Sequence, residues 1–321
     1  MINNSQILVS VNMITYLHGK YIREAIEGVL MQNCNFNFEL IIADDCSPDN
    51  TSKIVTDIIN SHPNGNKIKY FRHEKNIGMH ANSDFVINQA KGKYIAICEG
   101  DDYWIDPNKL QKQVDFLENN LEYGIVHTNF KNYFQSTNQF KFLSKKKHNI
   151  ENCYKELILG RYHIGTLTTC FKKELLINFI NEIKPSKHNW LMGDLPVWLY
   201  FAQNSKFHYI DEISAVYRIL EESASQTLNI DKKFKFEESI YEVRMYFWER
   251  SFKNDFSLKR EILNLLFYNK LLINVYLNGS IFQFICLLLN FHIRNTNFLY
   301  FIGSFKQCVN KLKSLKKCKI H

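Results

Sequence analysis

The sequence predicts an α/β fold, a mainly parallel central sheet flanked by helices, with a helical C-terminal extension. Three observations carry that prediction. Short apolar runs alternate with amphipathic helical patterns through residue 98, the mark of successive βαβ units. The runs end in turn-forming and acidic residues: Thr15-Tyr16, Asp44-Asp45 and Glu99-Gly-Asp-Asp102. From Lys232 onward the pattern is helical.

Taken in order, residues 7–13 are apolar with Ser10 and Asn12 alternating among them, which reads as a strand, and residues 15–19 follow as a loop. In residues 21–32, Ile22, Ala25, Ile26, Val29 and Leu30 fall at i, i+3, i+4, i+7 and i+8, the apolar stripe of a helix. Residues 39–43 form a second strand, and Asp44-Asp-Cys-Ser-Pro-Asp-Asn-Thr51 after it is dense in turn and cap residues. Ile54, Ile58 and Ile59 mark the next helix. Residues 67–71 read as a third strand, Asn76-Ile-Gly78 as a loop and residues 81–90 as a helix. Residues 94–98 are too short a run to fill helical turns and are bounded by glycines, so they read as a buried strand.

In a parallel sheet, ligands bind beyond the carboxyl ends of the strands, so the three strand ends are expected to line one crevice. Glu99, Asp101 and Asp102 repel one another there. A divalent cation among them relieves the repulsion, and hard oxygen ligands suit Mg²⁺ or Mn²⁺ shared with a phosphate-bearing ligand. The alternative is an acidic loop in which Asp102 or Asp106 caps the helix starting near Pro107. No Gly-x-Gly-x-x-Gly or Gly-x-x-x-x-Gly-Lys loop follows the first strand, so neither a dinucleotide fingerprint nor a P-loop is indicated.

Leu110, Val114 and Leu117 continue the helical pattern. Residues 131–150, polar and aperiodic with Lys145-Lys-Lys147, read as a mobile insertion whose charges are solvated surface. Residues 166–171 read as a strand. Asp194 begins a helix with Pro196 in its first turn, and on these residues alone it reads as a cap. Residues 207–210 and 214–219 read as short strands, and 221–225 as a polar segment. Helices are expected at 232–250, 258–277 and 280–293. Residues 281–289 are densely apolar, but Gln283, Asn290 and His292 interrupt the segment, which falls short of the about 20 apolar residues a span needs.

At 321 residues, 45% of them hydrophobic, the chain can bury a sizeable core. Its eight cysteines form no CxxC or zinc-type spacing, and several lie in apolar runs, so reduced cytosolic thiols are expected. The N-terminus has no basic-then-apolar leader pattern. After Glu261 there are eight basic residues and no acidic one, so the tail carries the whole net charge of +8. That asymmetry assigns an anionic partner to the tail. An apolar segment followed by a Lys-rich end fits a helix on an anionic bilayer surface, or a core helix with a frayed basic end.

Together these motifs resemble family-2 glycosyltransferases of the GT-A fold, a Rossmann-like architecture, of the kind that assembles bacterial polysaccharides. Val9-Ser-Val-Asn-Met-Ile-Thr-Tyr16 is similar to the family's opening strand and loop, and Ile42-Ala-Asp-Asp-Cys-Ser-Pro-Asp-Asn-Thr51 to its "DDxSxDxT" turn. Asn76-Ile-Gly78, Ala90-Lys-Gly-Lys-Tyr-Ile95 and Glu99-Gly-Asp-Asp102 resemble the run into its metal motif. The resemblance covers roughly residues 5–225 and implies a catalytic domain over 1–225, with 226–321 as a helical, basic-tailed region. It implies a nucleotide-sugar donor, a UDP-sugar by family default. Thr15, Tyr16, Asp45 and Asn76 would lie at the donor nucleotide, and Glu99, Asp101 and Asp102 at metal and diphosphate. Asp194, in its Gly-Asp-x-Pro-x-Trp setting, would be the catalytic base, a role compatible with capping.

Two departures stand out. Glu99 replaces the usual Asp, and no His follows Tyr217-Arg218, which leaves Arg218 and Ser223–Ser225 as diphosphate contacts. The partners expected are the donor, a glycan or lipid-linked acceptor and an anionic membrane surface, not nucleic acid, with the protein cytoplasmic at the inner membrane face. A sugar nucleotidyltransferase, disfavoured for want of a Gly-rich basic loop, and a catalytically silent scaffold are the rival readings.

Overall fold

A computed structural model describes residues 6–142, 153–220 and 229–276. The chain divides into two compact units, Met1–Pro185 with Val197–Glu221, and Ser186–Pro196 with Glu222–His321.

The first unit begins with alternating elements: β1 (Ile7–Thr15), α1 (Ile22–Leu30), β2 (Asn37–Asp44), α2 (Thr51–Ser61), β3 (Ile68–Arg72), α3 (Met79–Gln89) and β4 (Tyr94–Ile97). It continues through β5 (Tyr103–Trp104), α4 (Lys109–Asn119), β6 (Tyr123–Phe134), β7 (Gln139–Phe142), α5 (Tyr154–Ile158), β8 (Cys170–Lys172) and α6 (Lys173–Ile183). Helix α7 (Asp194–Asn204), whose first residues through Pro196 belong to the second unit, and strand β9 (Lys206–Ile219) follow. The second unit contains α8 (Ile230–Ser251) and α9 (Phe256–Tyr276).

Among the described residues one mixed sheet runs β3-β2-β1-β4-β8-β6-β9-β5, with β7 paired onto β6. Its first four strands are parallel, as the βαβ pattern predicts. Val9, Val11 and Met13 of β1 are fully buried with Ile22, Ala25, Ile26 and Val29 of α1, so the two periodicities meet in one core. Buried Ser10 donates to Glu39 (2.7 Å) and accepts from the Lys91 and Gly92 N–H groups. That satisfied polar clip explains how Glu39 can be buried in a strand.

Beyond β4 the sheet becomes mixed: β8 pairs antiparallel with β4 and β6, while β6 and β9 pair parallel. Residues 131–142 form the end of β6 and β7, a hairpin where a mobile insertion was expected; Lys145–Lys147 lie outside the described residues. The strand expected over 166–171 starts only at Cys170. Thr168 Oγ1 donates to Gly165 O (2.6 Å) and Thr169 Oγ1 to Thr166 O (2.8 Å), which winds the threonines into a 3₁₀ turn. The two short strands expected before residue 220 are one strand, β9, because Asp211 and Glu212 are accommodated as a bulge against β6.

Within the second unit, α8 and α9 match the helices expected at 232–250 and 258–277. Residues 280–293, the apolar stretch 281–289, Ser223–Ser225 and the basic tail from Lys306 lie outside the described residues. No helix among those described is long and apolar enough to cross a membrane.

Candidate active site

The parallel block places the ends of β1, β2 and β4 side by side. Asp45 N–H donates to Thr15 O (3.0 Å) and Gly100 N–H to Ile14 O (3.1 Å), so the three loops leave the sheet tied together. The convergence expected of these strand ends is therefore present.

After β2, Asp44 is fully buried and accepts from Ser47 N–H (2.8 Å) and Tyr70 O–H (2.8 Å), with the Arg72 guanidinium 3.7 Å away. Asp45 uses both carboxylate oxygens on backbone: Ile77 N–H at 2.7 Å and Gly78 N–H at 2.9 Å. It thus anchors the 76–78 loop, where Asn76 Oδ1 also accepts from Gly78 N–H (3.1 Å). Gly78 has φ +87°, a conformation that favours glycine. Tyr16 and Ile77, on the two loops that Asp45 joins, are 41% and 37% exposed.

The acidic turn follows β4. Asp102 N–H donates to Glu99 O (3.1 Å), closing the turn, and β5 then pairs with β9. Asp102 is 3% exposed and accepts from the Arg218 N–H at 2.8 Å. Burial foremost, then the charges of Asp101 and Glu99, push its carboxyl well above the usual carboxylate range, against the opposing pull of Arg218. It does not cap the following helix. Nor does Asp106: its side chain accepts from Asn108 N–H (2.9 Å) and its carbonyl from Lys109 N–H (3.2 Å), a turn ahead of α4, whose N-cap position is Asn108 with no side-chain cap bond.

Asp101 is half-buried, with His18 Nε2 3.9 Å from its carboxylate. Burial holds the His18 pKa below its ordinary value although Asp101, Asp49 and Asp44 pull it upward. His18 Nδ1 and Thr15 Oγ1 are buried polar atoms with no hydrogen-bond partner among the described residues. Both face Gly100, where an added Cβ would lie 2.7 Å from Thr15 Oγ1 and 2.9 Å from His18 Nδ1. His18 was legible only as a loop residue, because what gives it a role is the pairing of β1 with β4.

Arg218 is placed otherwise than an open phosphate contact. It is 6% exposed, its Nε donates to Asp101 O (2.9 Å), Nη1 to Gln135 Oε1 (2.7 Å) and Nη2 to Glu24 Oε2 (2.5 Å). Its guanidinium also lies over the rings of Tyr21, Tyr103 and Tyr133, at 4.8, 5.3 and 5.3 Å. Arginine suits this position because one planar fork can serve three acceptors while its faces stack on aromatics. It locks the acidic turn to β9.

Among the described residues no three His, Cys, Asp or Glu side chains form a ready-made metal cage. The donor set nonetheless fits a divalent cation of the Mg²⁺ or Mn²⁺ kind, which binds through one or two carboxylates and shares its remaining positions with water and phosphate. An acidic turn holding a buried carboxyl, beside orphaned Thr15 and His18 atoms, is suited to such sharing.

In the second unit, Asp194 begins α7, partly exposed, and its Oδ1 accepts from Leu195 N–H at 2.8 Å. The bond orients the carboxylate through the adjacent N–H, whereas an N-cap side chain accepts from the second or third residue of the helix.

A parallel βαβ block with an acidic turn at its carboxyl edge, extended into a mixed sheet, defines a GT-A-type α/β protein. The chain belongs to glycosyl transferase family 2, whose profile matches residues 10–175, just over half of its length. It is 44% identical over 117 residues to an uncharacterised protein of Mycobacterium tuberculosis, covering 36% of this chain and 32% of that one. The match thus spans about a third of the length of those mycobacterial relatives. An uncharacterised glycosyltransferase of Methanocaldococcus jannaschii is 29% identical over 215 residues, 66% of this chain and 71% of its own.

Two solved structures share the fold. Staphylococcus aureus TarS 1-349 in complex with UDP superposes with a TM-score of 0.51 at 17% identity, over 83% of this chain and 81% of that one. A mannosyltransferase of Pyrobaculum calidifontis in complex with GDP-Man and Mn²⁺ gives 0.58 at 14% identity, over 94% and 84%.

Proposed function

We propose that this protein is an inverting glycosyltransferase that moves a sugar from a nucleoside-diphosphate sugar, UDP by default, to a hydroxyl of a glycan or lipid-linked acceptor in cell-surface polysaccharide synthesis. The observation that carries the reading is the acidic turn: a buried carboxyl and two companions at the end of a central strand, tied to the β1 and β2 loops. Such an arrangement is costly to the empty protein and is relieved by a cationic, phosphate-bearing ligand. Family membership supports the same conclusion.

The exposed side chains of Tyr16 and Ile77 pack the donor's nucleobase, while Asp45 and Asn76 hold the 76–78 loop in place. Asp101 and Asp102, with Glu99, hold a divalent cation. When bound, that cation contributes charge neutralisation to the departing nucleoside diphosphate. His18 stays neutral beside Asp101 and offers a ring nitrogen to the diphosphate or its water shell. Arg218 serves by rigidity, holding Asp101 and Asp102 in place. Asp194 takes the acceptor hydroxyl's proton as that oxygen attacks the anomeric carbon from the face opposite the leaving group, which inverts the configuration. The basic tail, outside the described residues, holds the enzyme at an anionic membrane surface.

Asp194→Asn tests the division of labour. Turnover of UDP-sugar or GDP-sugar should fall by a factor on the order of 100 to 10,000, while nucleotide affinity stays within about twofold. Undiminished turnover would remove Asp194 from the mechanism.

A further inference from the structure

The second unit contains a cleft that donor chemistry does not use. It has a volume of about 530 Å³ and lies between residues 187–190 and one face of α8. Tyr241, Glu242, Met245, Tyr246 and Glu249 recur at i, i+1, i+4, i+5 and i+8, so they share a stripe of that helix. Opposite them, His188 stacks on Trp190 with ring centres 4.2 Å apart and planes within 5° of parallel. Tyr246 meets both rings edge-on, at 5.0 and 5.4 Å. Trp190 is nearly buried and packs on against Phe247, so it props His188 from behind. Leu191 N–H donates to Ser239 Oγ (2.8 Å), which pins the 187–190 segment to α8. The wall is therefore rigid and aromatic.

The polar complement is mixed. Glu242, Glu249, Lys187 and Asn189 line the rim and are exposed. Aromatic faces accept the C–H faces of a pyranose, while carboxylates accept from its hydroxyls and Lys and Asn donate to its oxygens. Two carboxylates against one ammonium disfavour an acidic sugar. Trp190 is four residues from Asp194 in the same unit, so even a fully extended chain separates their Cα atoms by no more than about 14 Å.

We infer that this cleft binds a neutral oligosaccharide, the non-reacting part of the acceptor chain, with His188, Tyr241 and Tyr246 as the stacking wall and Glu242 and Glu249 as hydroxyl acceptors. The inference rests on the glycosyltransferase reading and deepens it: it names a glycan as acceptor and places its grip on the second unit. A site that holds acceptor units away from the reacting hydroxyl lets their binding energy serve orientation at that hydroxyl.

Saturation-transfer NMR on the full chain tests it, with maltotriose, cellotriose, mannotriose and the trimer of N-acetylglucosamine at millimolar concentration, and with UDP and GDP plus diamagnetic Mg²⁺ in parallel. At least one trisaccharide should receive saturation at its ring protons. Tyr241→Ala should weaken that binding about fivefold, which corresponds to one lost aromatic contact of ~1 kcal/mol. The Glu242→Gln/Glu249→Gln double variant changes only exposed side chains and so folds normally; it should weaken binding by a similar factor. Nucleotide signals should be the same in all three proteins. Absence of transfer to every trisaccharide, or binding unchanged in the double variant, overturns the cleft assignment. If nucleotide signals persist in that case, only the acceptor site is wrong; if they vanish too, the transferase reading falls with it.

Discussion

Asp102 combines near-complete burial with two neighbouring carboxylates and one backbone donor, so its charge is poorly compensated within the chain itself. Asparagine can keep the Arg218 N–H bond while removing that charge. Asp102→Asn should therefore raise the melting temperature of the metal-free protein by roughly 2–4 °C, about 1 kcal/mol, and abolish any stabilisation by Mn²⁺ with nucleotide. A variant less stable in EDTA would show that the carboxylate is a structural asset. Lys109 presents the opposite charge in a comparable setting. It is fully buried, its Nζ donates to Gln113 Oε1 (2.8 Å) and sits 4.1 Å from the centre of the Trp104 ring, and burial lowers its pKa to about 8. The folded pKa lies below the unfolded one of about 10.5, so between these values the unfolded chain binds more protons and stability rises with pH. Comparison of wild type with Lys109→Met from pH 7.5 to 10 should show the wild type gaining on the variant, by up to roughly 3 kcal/mol. A pH-independent difference would mean that Lys109 does not titrate in that range.

At the level of elements, the parallel block was readable because β1, β2 and β4 are short apolar runs that end in turn residues or beside glycines. Strands β1, β2 and β4 are buried on both faces, and continuous burial leaves a continuous apolar signature, while the edge strand β3 is half exposed and alternates. The antiparallel half carries no such mark. The later part of β6 is Asn-, Lys- and Tyr-rich, and its status as a strand is decided by pairing with β9, about eighty residues away in sequence. The 3₁₀ turn at Thr166–Thr168 reverses a β-branched preference through side-chain bonds that only the folded backbone reveals. Of the site, the acidic turn and its loops were legible as motifs. The anchoring duties of Asp45 and Arg218 were not, since the N–H groups and rings they engage come from distant segments. Helix α1 shows the same dependence on fit. A Cβ on Gly28 would lie 2.8 Å from Trp104 O and 2.9 Å from Trp104 N, backbone atoms that cannot swing away. Gly28→Ala should cost about 1–3 kcal/mol in denaturant unfolding and loosen the turn that β5 terminates; a neutral effect would mean that α1 shifts freely over β5.

For the whole molecule, the division into units assigns the proposed donor-binding groups to one unit and the proposed base to the other. The first unit carries the strand ends and the acidic turn, and the second carries Asp194 and the aromatic cleft. Segment 186–196 belongs to the second unit through bonds and ring contacts with α8, a grouping that chain order alone does not suggest. The central claim is that the first unit holds a nucleoside diphosphate through a divalent cation. Its most direct test is thermal unfolding with UDP, GDP, CMP and dTDP, each with Mn²⁺ and with EDTA. A ligand that binds only the folded chain stabilises it by about 2.7 kcal/mol at a concentration 100 times its Kd, a rise of several degrees for a unit of this size. The account predicts such a rise with one nucleoside diphosphate in Mn²⁺ and its loss in EDTA. No shift with any nucleotide, or a shift indifferent to EDTA, would contradict it.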